Sequence, residues 1–110
     1  MEKDCLFCKL INGIIPTQFL YESDNITAFR DINPEAPVHI LIVPKKHIRS
    51  LNDISEGDLN ILSEMFVAAK DIAKKEGVNE SGYKVLINVE KGGGQVIFHL
   101  HLHLIGGWKK

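Results

Sequence analysis

Three histidines near the C-terminus alternate with apolar residues through residues 98–105. Because successive side chains of a strand point to opposite faces, a strand here would place His99, His101 and His103 on one face. Thr or Val would fill such positions at lower polar cost and with better strand propensity, so three imidazoles in register indicate a site. The other face is predicted to pack in the core and comprises Phe98, Leu100, Leu102 and Leu104.

The two cysteines, Cys5 and Cys8, are three residues apart and could bind a metal or exchange thiols. A thioredoxin-type pair follows a strand, and no strand precedes these cysteines, so zinc is favoured over redox chemistry. A closed tetrahedral zinc site would then need two histidines. One strand cannot supply three ligands, because His99 and His103 would lie about 13 Å apart. The alternative is a pair of buried cysteines that act as small hydrophobic residues.

The glycine run Gly92–Gly94, followed by Gln95, lies between two predicted strands. Successive glycines let backbone amides approach an anion, although neither a Walker loop nor a dinucleotide fingerprint fits, since both need a following helix. A flexible hairpin connection explains the run equally well when it is taken alone. Next to the histidines, a phosphate site becomes plausible, with imidazoles that attack phosphorus or donate protons.

The composition excludes several classes of protein. The chain has 110 residues, 45% of them hydrophobic, which predicts one globular domain over residues 1–110. Its 13 basic and 14 acidic residues are mixed along the sequence, so we expect no nucleic-acid polymer as partner. No apolar run could span a membrane and the N-terminus does not resemble a signal peptide, so a cytoplasmic protein is expected.

The elements that must position these residues predict an α+β fold with a five-stranded antiparallel sheet. A short N-terminal helix is capped by Asp4, and a long helix over residues 56–76 starts at a capping box of Ser55 and Asp58. Periodicity and turn residues predict strands over residues 17–22, 26–30, 38–43, 83–88 and 98–105. The third strand, rich in β-branched residues, is expected to be central.

The pattern of residues 99–105, His-apolar-His-apolar-His-apolar-apolar, resembles that of the histidine-triad (HIT) superfamily, and in particular its Hint branch. The resemblance covers nearly the whole chain and extends to segments 6–9, 15–16, 28–34, 36–39 and 43–48, and to Asn88 seven residues before Gln95. It implies the HIT-like fold and a homodimer whose two sheets join into one.

The resemblance also implies hydrolysis or transfer at the α-phosphate of a purine nucleotide conjugate, such as a nucleoside phosphoramidate. His101 matches the nucleophile that forms a nucleotidyl-histidine intermediate, so no catalytic metal is expected. His103 and His39 match positions that orient the nucleophile and manage phosphate and protons. Asp31 matches the acceptor of the ribose hydroxyls.

Further residues match family positions at the nucleotide. Those near phosphate are Asn88, Gly94, Gln95 and the amide of Val96. Those that form apolar walls around the base are Leu6, Phe7, Leu10, Phe29 and Ile32. Some members, mostly bacterial, look like zinc proteins, and the matching ligands of a structural zinc ion are Cys5, Cys8, His47 and His99.

Two departures from the family pattern bear on turnover. Val96 stands where the family usually has Ser or Thr, and the chain stops at Lys110, shorter than many Hint proteins, whose tail helps to form the neighbouring subunit's substrate site. The alternatives to a phosphoramidate hydrolase are a zinc-stabilised nucleotide-binding or interaction module with little catalysis, and a dinucleoside polyphosphate hydrolase.

Overall fold

The structure, a computed structural model, describes residues 4–108. Its sheet is antiparallel and five-stranded, in the order β1-β2-β3-β5-β4. The strands are β1 (Tyr21–Glu22), β2 (Ile26–Arg30), β3 (Val38–Pro44), β4 (Tyr83–Leu86) and β5 (Leu102–Gly106), and the helices are α1 (Leu6–Ile11) and α2 (Leu59–Lys75). The α+β class, the five-stranded antiparallel sheet with one short and one long helix, and the central position of β3 are confirmed. No helix among residues 4–108 is long and apolar enough to cross a membrane.

Both faces of the sheet are covered, which explains why β3 is apolar at almost every position. Ile40 and Ile42 point toward α2 and join a core with Leu102 and Leu104 of β5. Leu41 and Val43 point to the other face and pack with Phe7 and Cys8 of α1. Since His39 and His103 share the face of Leu41, the face under α1 carries the histidine chemistry.

The capping box predicted before the long helix is present, but α2 begins at Leu59 rather than at residue 56. A 3-10 turn over Glu56–Asp58 precedes it, and Ser55 and Asp58 form the expected capping box. Met65, Ala69 and Ile72 of α2 are buried against the sheet. Asp58 is itself nearly buried and also accepts a hydrogen bond from Lys46 Nζ at 2.7 Å.

Helix α1 is capped by Cys5 rather than by Asp4. The Cys5 thiol sulfur accepts the backbone N–H of Cys8 at 3.3 Å, so the helix starts one residue later than predicted. Gly13, with φ of +75°, follows its end, where a left-handed residue is needed. The cap therefore places both cysteines on the buried side of a six-residue helix.

The predicted strands over residues 17–22, 83–88 and 98–105 are shorter in the structure. Residues 17–20 only begin to approach β2, through the Leu20 N–H and the Ala28 carbonyl. The last strand starts at Leu102 because the ladder with β3 ends at Ile42, and the carbonyl of Pro44 bonds to the ring of His99 instead of to backbone. His99 and His101 therefore lie before the strand, and Phe98 is partly exposed rather than in the core.

Candidate active site and metal centre

Four side chains from three separated segments form a compact cluster under α1. Cys5 and Cys8 come from the start of α1, His47 from the loop after β3, and His99 from the segment before β5. One ligand atom from each lies within 4.8 Å of all the others. The sequence-based prediction that these four residues meet is confirmed.

The separations within this cluster fit a tetrahedral metal ion. His99 Nδ1 lies 3.2 Å from Cys5 Sγ, 3.6 Å from Cys8 Sγ and 3.2 Å from His47 Nδ1, and Cys8 Sγ lies 3.4 Å from His47 Nδ1. A tetrahedron with zinc–nitrogen and zinc–sulfur bond lengths has edges of about 3.3 to 3.8 Å. The donor set of two thiols and two imidazoles is one that zinc binds in structural sites.

The tautomer of His99 suits a ligand. Its Nε2 donates to the carbonyl of Pro44 at 2.8 Å, and because a carbonyl can only accept, the proton is on Nε2 and the lone pair is on Nδ1, facing the cluster. Burial lowers the pKa of His99 to about 4, which keeps the ring neutral. Burial also raises the pKa of the Cys5 thiol, so a bound cation would have to displace its proton.

A backbone carbonyl also fixes the tautomer of His101, but there the proton is on the other ring nitrogen. Its Nδ1 donates to the carbonyl of His99 at 2.7 Å, so its proton is on Nδ1 and its lone pair is on Nε2. Burial lowers the pKa of this imidazole, which favours the neutral form at pH 7. A buried, oriented and neutral imidazole with a free Nε2 has the properties of a nucleophile.

A second chain of hydrogen bonds fixes the protons on His39 and His103. The backbone N–H of Glu35 donates to His39 Nδ1 at 3.0 Å, so His39 is protonated on Nε2, which lies 3.0 Å from His103 Nδ1 and 3.4 Å from Asp31 Oδ2. His103 Nδ1 therefore accepts, and its proton is on Nε2. That buried Nε2 has no hydrogen-bond partner among residues 4–108. It is a donor available to a bound ligand.

The rings of His101 and His103 are close neighbours, with centroids 4.8 Å apart, and those of His103 and His39 are 5.2 Å apart. Burial, followed by the neighbouring imidazoles, lowers the pKa of His103 to about 4. The three residues expected to carry the chemistry are thus brought together. Their grouping in space does not need the long strand that the sequence predicts.

Phe7 separates the cysteine–histidine cluster from His101. Its ring contacts His99 and His101 edge to face, with centroids 5.8 and 5.1 Å away, and it packs in the same way on Phe29. Both phenylalanines are almost fully buried, whereas Leu6 and Ile32 are exposed, Ile32 to 88%. The roles of these residues and of Leu10 as walls for a base stay predictions.

The glycine loop is ordered by its own contacts. Gly94 has φ of +89°, and a Cβ at this position would lie 3.8 Å from the side chain of Asn88. Gln95 is buried, and both hydrogens of its amide bond to the carbonyls of Arg49 and Ile97, at 2.8 and 3.0 Å. The Gln95 side chain therefore holds the loop, and contacts of Asn88, Gly94, Gln95 and the Val96 amide with phosphate stay predictions.

Several groups important to this geometry have no clear sequence signal. The carbonyls of Pro44 and His99 and the N–H of Glu35 set the tautomers, but every residue has such backbone groups.

A cavity of about 530 Å³ beside the cysteine–histidine cluster is lined by Leu6, His47, Arg49, Val96, Ile97 and Phe98, among others. Its lining includes His47 but not His39, His101 or His103, so this cavity lies beside the cysteine–histidine cluster rather than at the paired histidines.

Comparison with known proteins places this geometry in context. The model of the HIT domain matches residues 12–110. The purine nucleoside phosphoramidase of Escherichia coli (strain K12) is 43% identical over 107 residues, which cover 97% of this chain and 90% of that protein. A HIT family hydrolase from Legionella pneumophila Philadelphia 1 superposes with a TM-score of 0.93 and 49% identity, over 96% of this chain and 95% of the other. A histidine triad protein from Clostridium difficile gives a TM-score of 0.94 and 45% identity, over 100% and 96% of the two chains.

Proposed function

We propose, from the premise that the chain belongs to the histidine-triad (HIT) family, that it hydrolyses purine nucleotide conjugates of the nucleoside phosphoramidate type at the α-phosphate. The reaction would pass through a nucleotide attached covalently to His101. The observation that carries the proposal is the free Nε2 of His101, next to a ring whose buried Nε2–H has no partner among residues 4–108. The similar E. coli protein, named a purine nucleoside phosphoramidase, supports the choice of substrate.

The first step uses the lone pair on His101 Nε2. It forms a bond to the α-phosphorus while the bond from phosphorus to the leaving nitrogen breaks, and the departing amine takes a proton from solvent. The ring becomes positively charged when Nε2 is bonded to phosphorus. The carbonyl of His99, which already accepts the Nδ1–H at 2.7 Å, stabilises that charge.

The second step returns the enzyme to its starting state. Water attacks the same phosphorus, the bond to Nε2 breaks and restores the neutral ring, and the nucleoside monophosphate leaves while the attacking water releases its proton to solvent. His103 Nε2–H donates a hydrogen bond to a phosphoryl oxygen in both steps, which gives this buried donor its partner. His39 positions His103 through the 3.0 Å bond between their rings.

Nucleotide recognition uses the same face of the protein. Asp31 accepts a hydrogen bond from the Asn33 N–H at 2.9 Å through Oδ1, which orients the carboxylate, and the ribose hydroxyls donate to it. The glycine loop supplies backbone amides to the phosphate. The apolar walls of the base site would be Leu6, Phe7, Leu10, Phe29 and Ile32.

We propose zinc as the ion for the cysteine–histidine cluster. Cys5, Cys8, His47 and His99 would hold it, and its role would be structural, because all four tetrahedral positions are then filled by protein. Thiolate ligands require reducing conditions, which supports a cytoplasmic location. His101 and His103 lie outside this set of ligands, so the proposed zinc ion would take no part in the chemistry at His101.

The functional unit is proposed to be a homodimer. Strand β4 is at the edge of the described sheet and pairs only with β5 there, so its outer backbone groups can pair with a second copy. The exposed apolar side chain of Val85 on β4 supports an interface at this edge of the sheet.

The test is a panel of adenosine, guanosine and pyrimidine 5′-phosphoramidates and dinucleoside polyphosphates, with released mononucleotide as the product measured. We expect the purine phosphoramidates to have the highest kcat/KM. Acid-quenched samples with radiolabelled substrate should contain a phosphorus–histidine adduct. Faster cleavage of dinucleoside polyphosphates would assign the chain to that reaction instead. Tight binding of nucleotide without turnover by metal-replete protein would contradict the enzymatic proposal and favour a binding module.

A further inference from the structure

Glu90 begins the glycine loop with a backbone conformation that side chains disfavour. Its φ is +58°, and no other residue except glycine among residues 4–108 has a positive φ. With ψ of 175° this conformation is one that almost only glycine adopts, so a glutamate stays there only when neighbouring groups hold it. The chain reverses at this point, and the Gly93 and Gln95 N–H groups both bond to the Glu90 carbonyl, at 3.0 and 3.1 Å.

Two side chains hold Glu90 in place. The Arg49 guanidinium donates to both carboxylate oxygens, with Nε 3.1 Å from one and an Nη 3.0 Å from the other, and it lies 4.3 Å from the ring centroid of Phe98. The Glu90 N–H donates to the buried Gln95 amide oxygen at 2.8 Å, and Gln95 in turn binds the Arg49 carbonyl. One network thus joins both ends of the loop, at Glu90 and Phe98, to the segment that carries His47.

We propose that Arg49 is a positioning residue for the phosphate-binding loop over residues 91–96. The guanidinium of Arg49 is already hydrogen-bonded to the Glu90 carboxylate. Arg49 therefore acts through Glu90 and Phe98 rather than on the ligand. The bidentate geometry and the ring stacking are features that arginine supplies and lysine does not. The role in phosphate binding rests on the function proposed above, whereas the effect on loop order does not.

The first measurement is amide hydrogen exchange of residues 91–96 in the nucleotide-free protein. In Arg49→Ala we expect exchange in this loop to accelerate at least about tenfold, as the loop opens more often. Arg30→Ala is the matched control. Arg30 pairs with Glu76 at 2.9 Å, its side chain is 53% exposed like that of Arg49, and it lies on the α2 side of the sheet with Ile40. Unchanged exchange in Arg49→Ala, or equal acceleration in both variants, would overturn the proposal.

The second measurement compares the affinities of AMP and adenosine. Arg49→Ala should weaken AMP binding about tenfold and leave adenosine binding unchanged, because only the phosphate contacts the loop. If substrate turnover is measured, KM should rise with kcat nearly constant. Arg49→Lys should lie between wild type and Arg49→Ala. Full affinity in Arg49→Lys would indicate that the charge acts on phosphate directly, which would overturn positioning.

A double-mutant cycle separates pairing from independent effects. Glu90→Gln should also weaken AMP binding, and the double variant should be no weaker than Arg49→Ala, because Arg49→Ala already removes the contact with Glu90. Additive losses would contradict the proposal. If wild-type protein binds neither AMP nor adenosine, the proposed function fails. Hydrogen exchange would still decide whether Arg49 orders the loop.

Discussion

The histidines of this site are differentiated by the backbone groups that each ring meets. The carbonyls of Pro44 and His99 accept from His99 Nε2 and His101 Nδ1, so the free lone pairs are on opposite nitrogens of the two rings. The Glu35 N–H donates to His39 Nδ1, so His39 Nε2 carries a proton and donates to His103 Nδ1. The proton of His103 is therefore on Nε2. One residue type thereby supplies a lone pair that faces the cysteine–histidine cluster, a second lone pair on His101 Nε2, and a hydrogen-bond donor on His103 Nε2.

Replacement of the proposed nucleophile gives the first prediction. His101→Ala should abolish both product release and the trapped phosphorus–histidine adduct, because no other described imidazole has its lone pair at this position. Affinity for AMP should stay within about tenfold of wild type, equivalent to about 1.4 kcal/mol. The measurements are turnover, adduct trapping and calorimetric binding. Turnover by His101→Ala at the wild-type rate would disprove the mechanism.

The second prediction concerns stability against pH. Burial lowers the pKa of His103 to about 4, below the usual 6.5, so the folded state binds fewer protons than the unfolded state between these values. The stabilisation is therefore complete above about pH 6.5 and is lost as the pH falls toward 4. We expect the free energy of unfolding to fall in this range, with a contribution of at most about 1.4 kcal/mol per pH unit from this group.

His103→Asn is the matched variant for that titration, because its amide oxygen can replace Nδ1 as acceptor for His39. Denaturant unfolding of both proteins at several pH values between 4 and 7 measures the difference. The slope should be smaller in the variant. Equal slopes would mean that His103 does not stay neutral in the folded protein as its burial requires.

At the residue scale, the sequence predicts which side chains come together in the fold. It does not predict which nitrogen of each histidine carries the proton. The spacing of Cys5 and Cys8 indicates only that two histidines would be needed, and it is the resemblance to the histidine-triad family that picks out His47 and His99 for the cluster that the structure contains. The tautomers could not be predicted, because their partners are main-chain groups that every residue carries. Arg49 was missed for a related reason: its bond to Glu90 depends on a left-handed backbone at a residue type that rarely adopts it.

Among the elements, α1 depends most on contacts with distant parts of the chain. Six residues are too few for a stable isolated helix, so α1 is stable only through packing and through the cluster at its N-terminus. Its Cys5 and Cys8 meet His47 and His99, which lie 39 to 94 residues away in sequence. A metal ion bound there would tie three segments together at the point where α1 begins.

Removal of the metal gives the third prediction. A chelator should lower the melting temperature of metal-replete protein by at least about 5 °C, an effect of roughly 1 kcal/mol for a domain of this size. Amide exchange in α1 should accelerate, because its N-terminal cap belongs to the cluster. Residual turnover should persist, since His101 and His103 are not ligands. Calorimetry, hydrogen exchange and the phosphoramidate assay measure the three effects.

The control is the double variant Cys5→Ser, Cys8→Ser, whose melting temperature should not respond to the chelator. Elemental analysis of wild-type protein prepared with zinc and reductant should find about one zinc per chain. Absence of zinc would favour the alternative that Cys5 and Cys8 are simply buried hydrophobic residues. Complete loss of chemistry with the fold intact would place the ion in the active site instead.

The lengths of elements were predicted less well than their order. The alternation of histidine with apolar residues continues beyond the paired strand, because His99 and His101 are fixed by the carbonyl of Pro44 and by their own local backbone rather than by a ladder. Alternation in sequence reports which side chains are buried together, whereas strand length depends on where the partner strand ends. β3 loses its pairing with β5 after Ile42, which no pattern within residues 98–105 could reveal.

For the whole molecule, the two faces and the edges of the sheet have different functions. Helix α2 covers one face with the main core, and α1 covers part of the other, next to the histidines. At the end formed by β4, however, Val85 is 39% exposed and the strand has a partner on one side only among the described residues. An unprotected edge strand with apolar side chains is unfavourable in an isolated monomer, which supports assembly at this edge.

The last prediction is that the protein is a dimer joined through β4. Light scattering at micromolar concentration should give twice the monomer mass. Val85→Glu should raise the dissociation constant at least about tenfold, because the two-fold axis brings two added charges together at a buried contact. Val67→Glu is the control: Val67 is 54% exposed and lies two residues from the buried Met65 and Ala69, so it points away from the sheet. A wild-type monomer, or equal dissociation of both variants, would contradict an interface at β4.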